Sequence, residues 1–252
     1  MSLLAVERIK LFSTRSLWWC TALILLVGIG PAVLIFAQPG AEGSVASTQF
    51  GLGLGSYIAM VLAAIAITSE YRFGTIRATF AAAPNRTEVL LAKIAVVAGL
   101  LGFLGLVTAF AAWGVAYLID GPVLAIGTGA EWRAVAGQGL LYAGYAILAL
   151  GVGLLIRQTA GAISLLLVWA LVVEGIVAAL DYTLDLNLSR WMPFANAGNF
   201  ITSGDATANG QADGFPAIDY PFGGPWGSLG YFAAVAGAVL VIGIVVANRR
   251  DA

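Results

Sequence analysis

The sequence predicts an all-α, polytopic membrane protein that crosses the bilayer six times. Apolar residues make up 60% of the 252 residues, charged residues make up 10%, and the mean hydropathy is +0.94. Soluble globular chains are roughly half apolar and about a quarter charged. Six apolar runs are long enough to cross a bilayer as helices. Residues 1–252 are therefore expected to form a single transmembrane domain.

Residues 2–16 precede the first apolar run and are predicted to form an interfacial helix, because they are too polar to cross the bilayer. In that helix, Glu7 and Lys10 lie on one face. The apolar face is formed by Ala5, Ile9 and Phe12. The alternative is the charged start of a signal peptide, but the apolar run that follows is longer than the apolar core of such a peptide.

The six apolar runs predict the membrane-spanning helices. They cover residues 17–37, 50–68, 88–119, 134–156, 160–180 and 229–247. Trp18 and Trp19 suit the headgroup region at the start of the first span, and Pro31 predicts a kink within it. The third run is longer than a bilayer requires, so its first turns are expected to project into the cytoplasm.

The second span begins with glycines at small-xxx-small spacing. Gly51 and Gly55 would let two helix backbones approach closely. A glycine-rich string is also typical of phosphate-binding loops, but no predicted strand precedes this one and no Lys-Ser/Thr pair follows it. We therefore interpret these glycines as helix-packing positions.

The basic residues predict the orientation of the chain. With the N-terminus in the cytoplasm, ten of the twelve Lys and Arg residues are cytoplasmic, and only Arg133 and Arg190 are outside. The cytoplasmic set is Arg8, Lys10, Arg15, Arg72, Arg77, Arg86, Lys93, Arg157, Arg249 and Arg250. The positive-inside rule therefore predicts that both termini lie in the cytoplasm.

Residues 69–93 form the longest polar stretch between two spans and face the cytoplasm in this orientation. A helix in the first half of the stretch would align Phe73, Ile76 and Phe80 as an apolar stripe, and Pro84 would end it. Two interpretations remain open on these grounds. The stretch is either a connector anchored by basic side chains or a docking helix for a cytoplasmic partner.

Residues 181–226 form a long outer segment between the last two spans. Within it, residues 186–201 are expected to form one or two short re-entrant helices that dip into the bilayer, broken at Pro193 and Gly198. Four aromatic residues suit an outer aromatic belt, with substrate contact as the alternative. They are Phe215, Tyr220, Phe222 and Trp226.

Glu174 is the only acidic residue deep within a predicted span. A charge at the bilayer centre costs on the order of 2–3 kcal/mol on insertion scales, so this side chain is expected to face the protein interior or water. Three roles remain open. Glu174 is a gate or pathway residue, a structural glutamate hydrogen-bonded to the outer segment, or a proton-carrying carboxyl.

The composition argues against several classes of protein. The sequence has no His, which removes the Ser-His-Asp triad and the HExxH zinc helix. The single cysteine, Cys20, allows no internal disulfide or cysteine cluster for a metal. A net charge of −1 does not indicate nucleic-acid binding. No GxxxxGK[ST] loop occurs, so the chain is not expected to hydrolyse ATP.

Three segments of the chain, taken in order, carry residues that match a known family. The first contains Glu7, Lys10, Leu11, Ser13, Arg15, Ser16 and Trp18. The second contains Glu70, Tyr71, Arg72, Gly74, Thr75, Ile76, Pro84, Asn85, Arg86 and Lys93. The third contains Glu174 and then Arg190, Trp191, Met192 and Pro193. In this order and topology the chain resembles the ABC-2 type permeases of bacterial ABC transporters, especially the six-span actinobacterial kind.

The resemblance implies that residues 69–86 form a cytoplasmic coupling helix, which sits in a groove of a separate ATP-binding subunit. The residues expected to couple to that subunit are Glu7, Lys10, Glu70, Tyr71, Arg72, Phe73, Gly74, Thr75 and Arg77. It also implies that two permease subunits pair, as a homodimer or heterodimer, in the bacterial cytoplasmic membrane. ATP and Mg are expected on the partner ATPase, with no cofactor or metal in this chain.

The expected function is export of an apolar or amphipathic substrate through a pathway at the permease dimer interface. The second and fifth spans hold the polar and aromatic residues expected to line it, namely Ser56, Tyr57, Met60, Trp169 and Glu174. Two alternatives are kept. One is a proton-coupled secondary transporter that uses Glu174, and the other is a membrane partner of an ATPase that transports nothing.

Overall fold

The computed structural model describes residues 3–38, 43–75, 86–184, 186–202 and 222–250. Of these residues, 89% lie in helices and none lies in a strand. The helices are α1 Leu3–Phe12, α2 Arg15–Phe36, α3 Phe50–Arg72, α4 Arg86–Asp120, α5 Gly129–Ile156, α6 Thr159–Leu184, α7 Pro193–Thr202 and α8 Pro225–Arg250. Six of them, all except α1 and α7, are long and apolar enough to cross a membrane. This confirms the prediction of an all-α, multi-pass membrane protein.

The bundle is organised around α5, which packs against α3, α4 and α8. Within the most apolar stretch of each span, 67% of the α5 residues are buried, compared with 17% in both α6 and α8. Apolar residues that are buried by no other part of the protein suit a lipid environment. The exposed apolar surface of α2, α6 and α8 therefore fits the outside of a membrane bundle.

The bundle has two ends, which we name by the short helices found there. The six spans alternate in direction along the chain. The α1 end contains α1, the C-terminus of α3 and the N-terminus of α4. The α7 end contains α7, the N-terminus of α3 and the C-terminus of α4. A two-residue turn, Arg157 and Gln158, joins α5 to α6 at the α1 end, as the sequence predicts.

Helices α2 and α3 cross closely where the sequence predicts glycine packing. A Cβ atom at Gly51 would collide with the backbone carbonyl oxygen of Val27, so only glycine allows this approach. At Gly55, the missing side chain leaves room for the Tyr142 hydroxyl, which donates a hydrogen bond of 3.0 Å to the Leu52 carbonyl oxygen. The helix-packing interpretation of both glycines is confirmed.

Several helices extend beyond their predicted bounds. Helix α3 continues to Arg72, so the first residues of the predicted coupling segment belong to a span. Helix α5 begins at Gly129, earlier than the predicted residue 134, because Thr128 and Glu131 form a capping box that stabilises the extra turn. Hydropathy misses such a turn, because its stability comes from hydrogen bonds to the first backbone N–H groups.

One of the two predicted breaks in the outer segment is present. A 3₁₀ helix, Ser189–Trp191, ends just before Pro193, where α7 begins. The predicted break at Gly198 is wrong, because α7 runs through this residue without interruption. Proline is favourable in the first turn of a helix, where its missing N–H would have no partner within the helix. Residues 203–221, which include the predicted belt residues Phe215 and Tyr220, lie outside the described part of the chain.

Candidate functional site

Four charged side chains meet inside the α1 end of the bundle, and we name them the ion cluster: Glu7, Lys10, Glu70 and Lys93. The Lys93 ammonium lies 2.5 Å from Glu7 Oε2 and 2.9 Å from Glu70 Oε1. The Lys10 ammonium lies 2.8 Å from Glu7 Oε1 and 3.4 Å from Glu70 Oε1. Each carboxylate therefore contacts both ammonium groups.

The ion cluster joins three helices. Glu7 and Lys10 come from α1, Glu70 comes from the last turn of α3, and Lys93 comes from the third turn of α4. Glu7 is buried because α1 packs against α4 through Glu7 and Leu11. The apolar residues Ile9 and Phe12 of α1 are exposed. Helix α1 thus directs Glu7 toward the other helices, and its apolar residues Ile9 and Phe12 lie on the surface of the protein.

Three members of the ion cluster are buried, with exposed fractions of 4% for Glu7, 9% for Glu70 and 5% for Lys93. Two negative and two positive charges balance. Buried charges are tolerated when they are paired, but removal of one partner leaves an uncompensated charge that costs about 3–5 kcal/mol. The cluster therefore makes the mutual positions of α1, α3 and α4 energetically specific.

The two α1 side chains have shifted pKa values. Burial by itself would raise the pKa of the Glu7 carboxyl, but the charges and hydrogen bonds of Lys93 and Lys10 outweigh burial and hold this pKa below its usual value. Burial would lower the pKa of Lys10, but the hydrogen bond that its ammonium donates to Glu7 and the charge of Glu70 outweigh burial and raise that pKa. Both side chains are charged at neutral pH.

A cavity of about 270 Å³ lies beside the ion cluster. All four cluster residues line it, together with the hydroxyl side chains of Ser13, Thr14, Ser16, Ser69 and Thr75. The cavity separates α1 from the C-terminal turn of α3, although the charged side chains bridge the two helices.

The predicted coupling residues fall into two groups. Glu7 and Glu70 point into the bundle, where they pair with lysines. The exposed group is Arg72, Phe73, Gly74 and Thr75, and Tyr71 is half-buried. Gly74 has a φ of +69°, which favours glycine and turns the chain away from α3. Arg77 lies outside the described residues.

The Tyr71 ring is held by the neighbouring turn. The Arg157 guanidinium lies over it at 5.1 Å from the ring centroid. This contact connects the end of α3 to the turn between α5 and α6. The exposed turn at Arg72 and Phe73 therefore extends from a well-supported helix end.

The predicted pathway residues differ in their surroundings. Met60 is completely buried, and Ser56 is buried with its hydroxyl donating to the Gly53 carbonyl oxygen at 2.6 Å. Tyr57 packs edge-on against the ring of Phe194. Trp169 is 41% exposed on the outer surface of α6.

Glu174 is buried and binds the N-terminus of α7. Its Oε1 accepts the backbone N–H of Phe194 at 2.9 Å, and its Oε2 accepts the backbone N–H of Ala195 at 2.7 Å. The first N–H groups of a helix lack partners within the helix and carry partial positive charge, so a carboxylate stabilises them. These bonds match the structural role among the three that the sequence leaves open.

A π-helical turn, Val168–Val173, immediately precedes Glu174 in α6. A π turn inserts one extra residue into a helix and changes the direction of the side chains that follow it. The turn therefore contributes to the alignment of the Glu174 carboxylate with α7.

No protein-family model matches this sequence, and no curated protein matches it either.

Sequence reasoning did not identify Lys93 as part of a site. The available signal is a lysine two turns inside an otherwise apolar helix, since such a residue requires an acidic partner. The partners, Glu7 and Glu70, are 86 and 23 residues away along the chain. Their meeting depends on the packing of α1 and α3 against α4.

Proposed function

We propose that this chain is the transmembrane subunit of an ATP-driven exporter of the ABC-2 type. It moves an apolar or amphipathic substrate across the bacterial cytoplasmic membrane, with the α1 end in the cytoplasm. The observation that supports this most is the ion cluster, which joins α1, the C-terminal turn of α3 and the N-terminal part of α4.

The ion cluster suits the transmission of force. A partner that grips the polar segment after α3 pulls directly on the last turn of that helix, where Glu70 lies. Because Lys93 binds both Glu70 and Glu7, the displacement passes to α4 and α1 without a loose joint. A movement at one surface thereby becomes a movement of two spans.

The exposed turn offers the contact surface for that partner. Phe73 is 72% exposed, and the guanidinium of the neighbouring Arg72 lies 5.6 Å from its ring centroid. An exposed aromatic residue with a stacked arginine is typical of a protein-binding surface. The sequence contains no P-loop, so the ATPase is a separate polypeptide that binds ATP and Mg.

The resemblance implies a pair of these permease subunits with two ATPases bound to them. Trp169 then lies on the face of α6 that is free to meet a second permease subunit. Helix α7 acts as a re-entrant helix at the outer side, because Glu174 binds its N-terminus ten residues before the end of α6, about 15 Å along that helix.

The test is reconstitution of the chain with a separate P-loop ATPase, which we expect a neighbouring reading frame to encode. Co-purification and stimulation of ATP hydrolysis in proteoliposomes are expected. Arg72→Glu and Phe73→Ala should each reduce that stimulation about tenfold or more, as expected for the loss of hot-spot contacts. Leu118→Ala, which changes an exposed apolar residue near the opposite end of α4, is the matched control and should leave stimulation unchanged.

Two results would contradict the proposal. The first is that the ATPase neither binds the chain nor is stimulated by it. The second is transport that follows a proton gradient without ATP, which would identify a secondary transporter. Equal stimulation by the wild type and by Phe73→Ala would remove the exposed turn as the coupling contact.

A further inference from the structure

A second cavity lies inside the α7 end of the bundle, far from the ion cluster. It has a volume of about 310 Å³ and lies between the N-terminus of α3, the middle of α5 and the C-terminal turn of α7. None of the described residues that line it is charged. Its polar side chains include Gln49, Ser56 and Gln138, and its apolar wall includes Leu141 and Ile201.

Gln49 is held in one orientation at this cavity. Its Nε2 donates to Thr48 Oγ1 at 2.7 Å and to the Ala109 carbonyl oxygen at 3.4 Å. The residue is only 5% exposed, yet its Oε1 has no hydrogen-bond partner among the described residues. A buried acceptor without a donor costs about 1–3 kcal/mol. The fixed amide therefore leaves one acceptor available to a molecule in the cavity.

Two other side chains extend this polar surface. Gln138 on α5 is also 5% exposed and brings a second amide, which carries both a donor and an acceptor. The Ser56 hydroxyl gives its hydrogen to the Gly53 carbonyl oxygen and is also hydrogen-bonded to the Tyr145 side chain, which lines the same cavity. The chemistry offered is that of uncharged donors and acceptors, next to aliphatic and aromatic walls.

We propose that this cavity is a binding site for small amphipathic molecules with an uncharged amide or hydroxyl head group. The head group donates an N–H or O–H to Gln49 Oε1, and its oxygen accepts from the Gln138 amide. The apolar part lies against Leu141 and Ile201. A charged head group is disfavoured because none of the described lining residues carries a charge that would neutralise it. The volume is at the lower end of the range typical of small-molecule sites.

The assignment of this occupant as transported substrate rests on the proposed function, whereas the binding site itself does not. In an exporter with the α1 end in the cytoplasm, the cavity lies in the outer half of the bundle. A molecule bound there is close to α7, whose N-terminus Glu174 holds. The site then defines which head groups pass that point.

The probe for this site is radiolabelled octanamide, measured by equilibrium binding to the purified full-length chain in phosphatidylcholine nanodiscs. Empty nanodiscs supply the background from partition into lipid. Saturable binding to the wild type is expected. Octanoate, which has the same chain and a charged head, should compete at least about tenfold more weakly.

Two variants test the residues. Gln49→Leu removes the acceptor and should weaken octanamide binding about tenfold, whereas Gln38→Leu changes an exposed glutamine at the same end of the bundle and should not. Gly53→Leu fills the cavity from a position where an added Cβ meets nothing within 4 Å, and it should abolish binding. Gly30→Leu, equally open but on α2 away from the cavity, is its matched control.

The proposal is overturned if the wild type shows no saturable binding, if Gln49→Leu and Gly53→Leu bind as the wild type does, or if octanoate competes equally well. If Gln49→Leu does not yield folded protein, Gly53→Leu and Gln49→Asn decide the question. The assay contains no ATPase and no ATP. Binding without ATPase coupling therefore contradicts only the proposed function, and coupling without binding contradicts only this site.

Discussion

At the scale of single residues, the chemistry of Lys93 shows how charge is accommodated in an apolar bundle. Lys93 is 5% exposed and contacts two carboxylates, neither of which is near it in the sequence. Lys10, by contrast, is 38% exposed and contributes from the edge of the cluster. The cost of removing charge from water thus falls on the inner residues. The inner pair Lys93 and Glu7 should therefore make the largest contribution of the cluster to the free energy of unfolding.

Replacement of Lys93 tests this directly. Lys93→Met should lower the free energy of unfolding by about 3–5 kcal/mol, because Glu7 and Glu70 remain buried with a net negative charge. A second change, Glu70→Gln, should restore part of the loss. Arg8→Met, which removes an exposed cation from α1, should change stability by less than about 0.5 kcal/mol. Thermal unfolding in a non-ionic detergent measures all four proteins.

The same cluster predicts a dependence of stability on acid. The folded-state pKa of Glu7 is below its ordinary value of 4.5, so its stabilisation is fully present above pH 4.5 and is lost as pH falls through the folded-state pKa. The melting temperature of the wild type should therefore fall as pH decreases below about 4.5. Glu7→Gln should show a shallower decrease, and an equally steep decrease would contradict the assignment.

Lys10 contributes in the opposite direction. Its pKa is raised above the ordinary value of 10.5, so its stabilisation is lost only as pH rises above that value. The acid range therefore reports on the Glu7 carboxylate without interference from Lys10.

At the scale of elements, α7 depends on a residue from another helix. A ten-residue helix is marginal by itself in water. Here Glu174 binds its first N–H groups, and the Arg133 side chain donates to the Phe200 carbonyl oxygen at 2.7 Å near its other end. Asn199 also donates to Ser228 of α8 at 2.8 Å. The helix is therefore held by bonds at both termini.

Glu174→Gln tests the first of these bonds. The amide retains one acceptor oxygen but turns an NH₂ group toward the second N–H, so a loss of about 1–3 kcal/mol is expected. Amide hydrogen exchange should rise in residues 193–202, while α3 remains protected. A uniform change across all helices would contradict a local role.

Glu131→Gln is the matched control for that experiment. Glu131 also accepts two backbone N–H groups at a helix start, from Gly127 and Thr128, both at 2.8 Å. Those bonds lie at an exposed end of α5, so a loss of about 1 kcal/mol and fraying of one turn are expected. The difference between the two variants isolates the effect of burial.

At the scale of the whole molecule, the two ends of the bundle have different chemistry. The α1 end holds the ion cluster, and the α7 end holds the uncharged cavity and the Glu174 contact. Spans connect these two regions directly, because α3 carries Gln49 just before its first residue and Glu70 in its last turn. A displacement at one end therefore reaches the other along a single helix.

Orientation in the membrane is testable by cysteine labelling in a Cys20→Ala background. Gln158→Cys, in the turn at the α1 end, should react with a membrane-impermeant maleimide only after cells are permeabilised. Val123→Cys, at a position 75% exposed at the α7 end, should react in intact cells. The reverse pattern would place the α1 end outside and contradict the proposed function.

The sequence alone determined the class and the spans of this protein. A run of about twenty apolar residues can satisfy its backbone in lipid only as a helix, so composition and length were sufficient. Glycine spacing also identified the contact at Gly51, because only glycine allows such an approach. The start of α5 was missed, since it depends on the hydrogen bonds of the capping box at Thr128 and Glu131. Gly198 was wrongly expected to break α7, in whose interior it lies.

The tertiary structure alone decided which polar residues meet. Lys93 and Glu7 are separated by 86 positions, and no local pattern connects them. Glu174 had three possible roles by sequence, and its contact with Phe194 depends on how α7 packs against α5 and α8. The free acceptor of Gln49 likewise exists only because three helices enclose a cavity. Periodicity determines which face of a helix is polar, but helix packing determines what that face contacts.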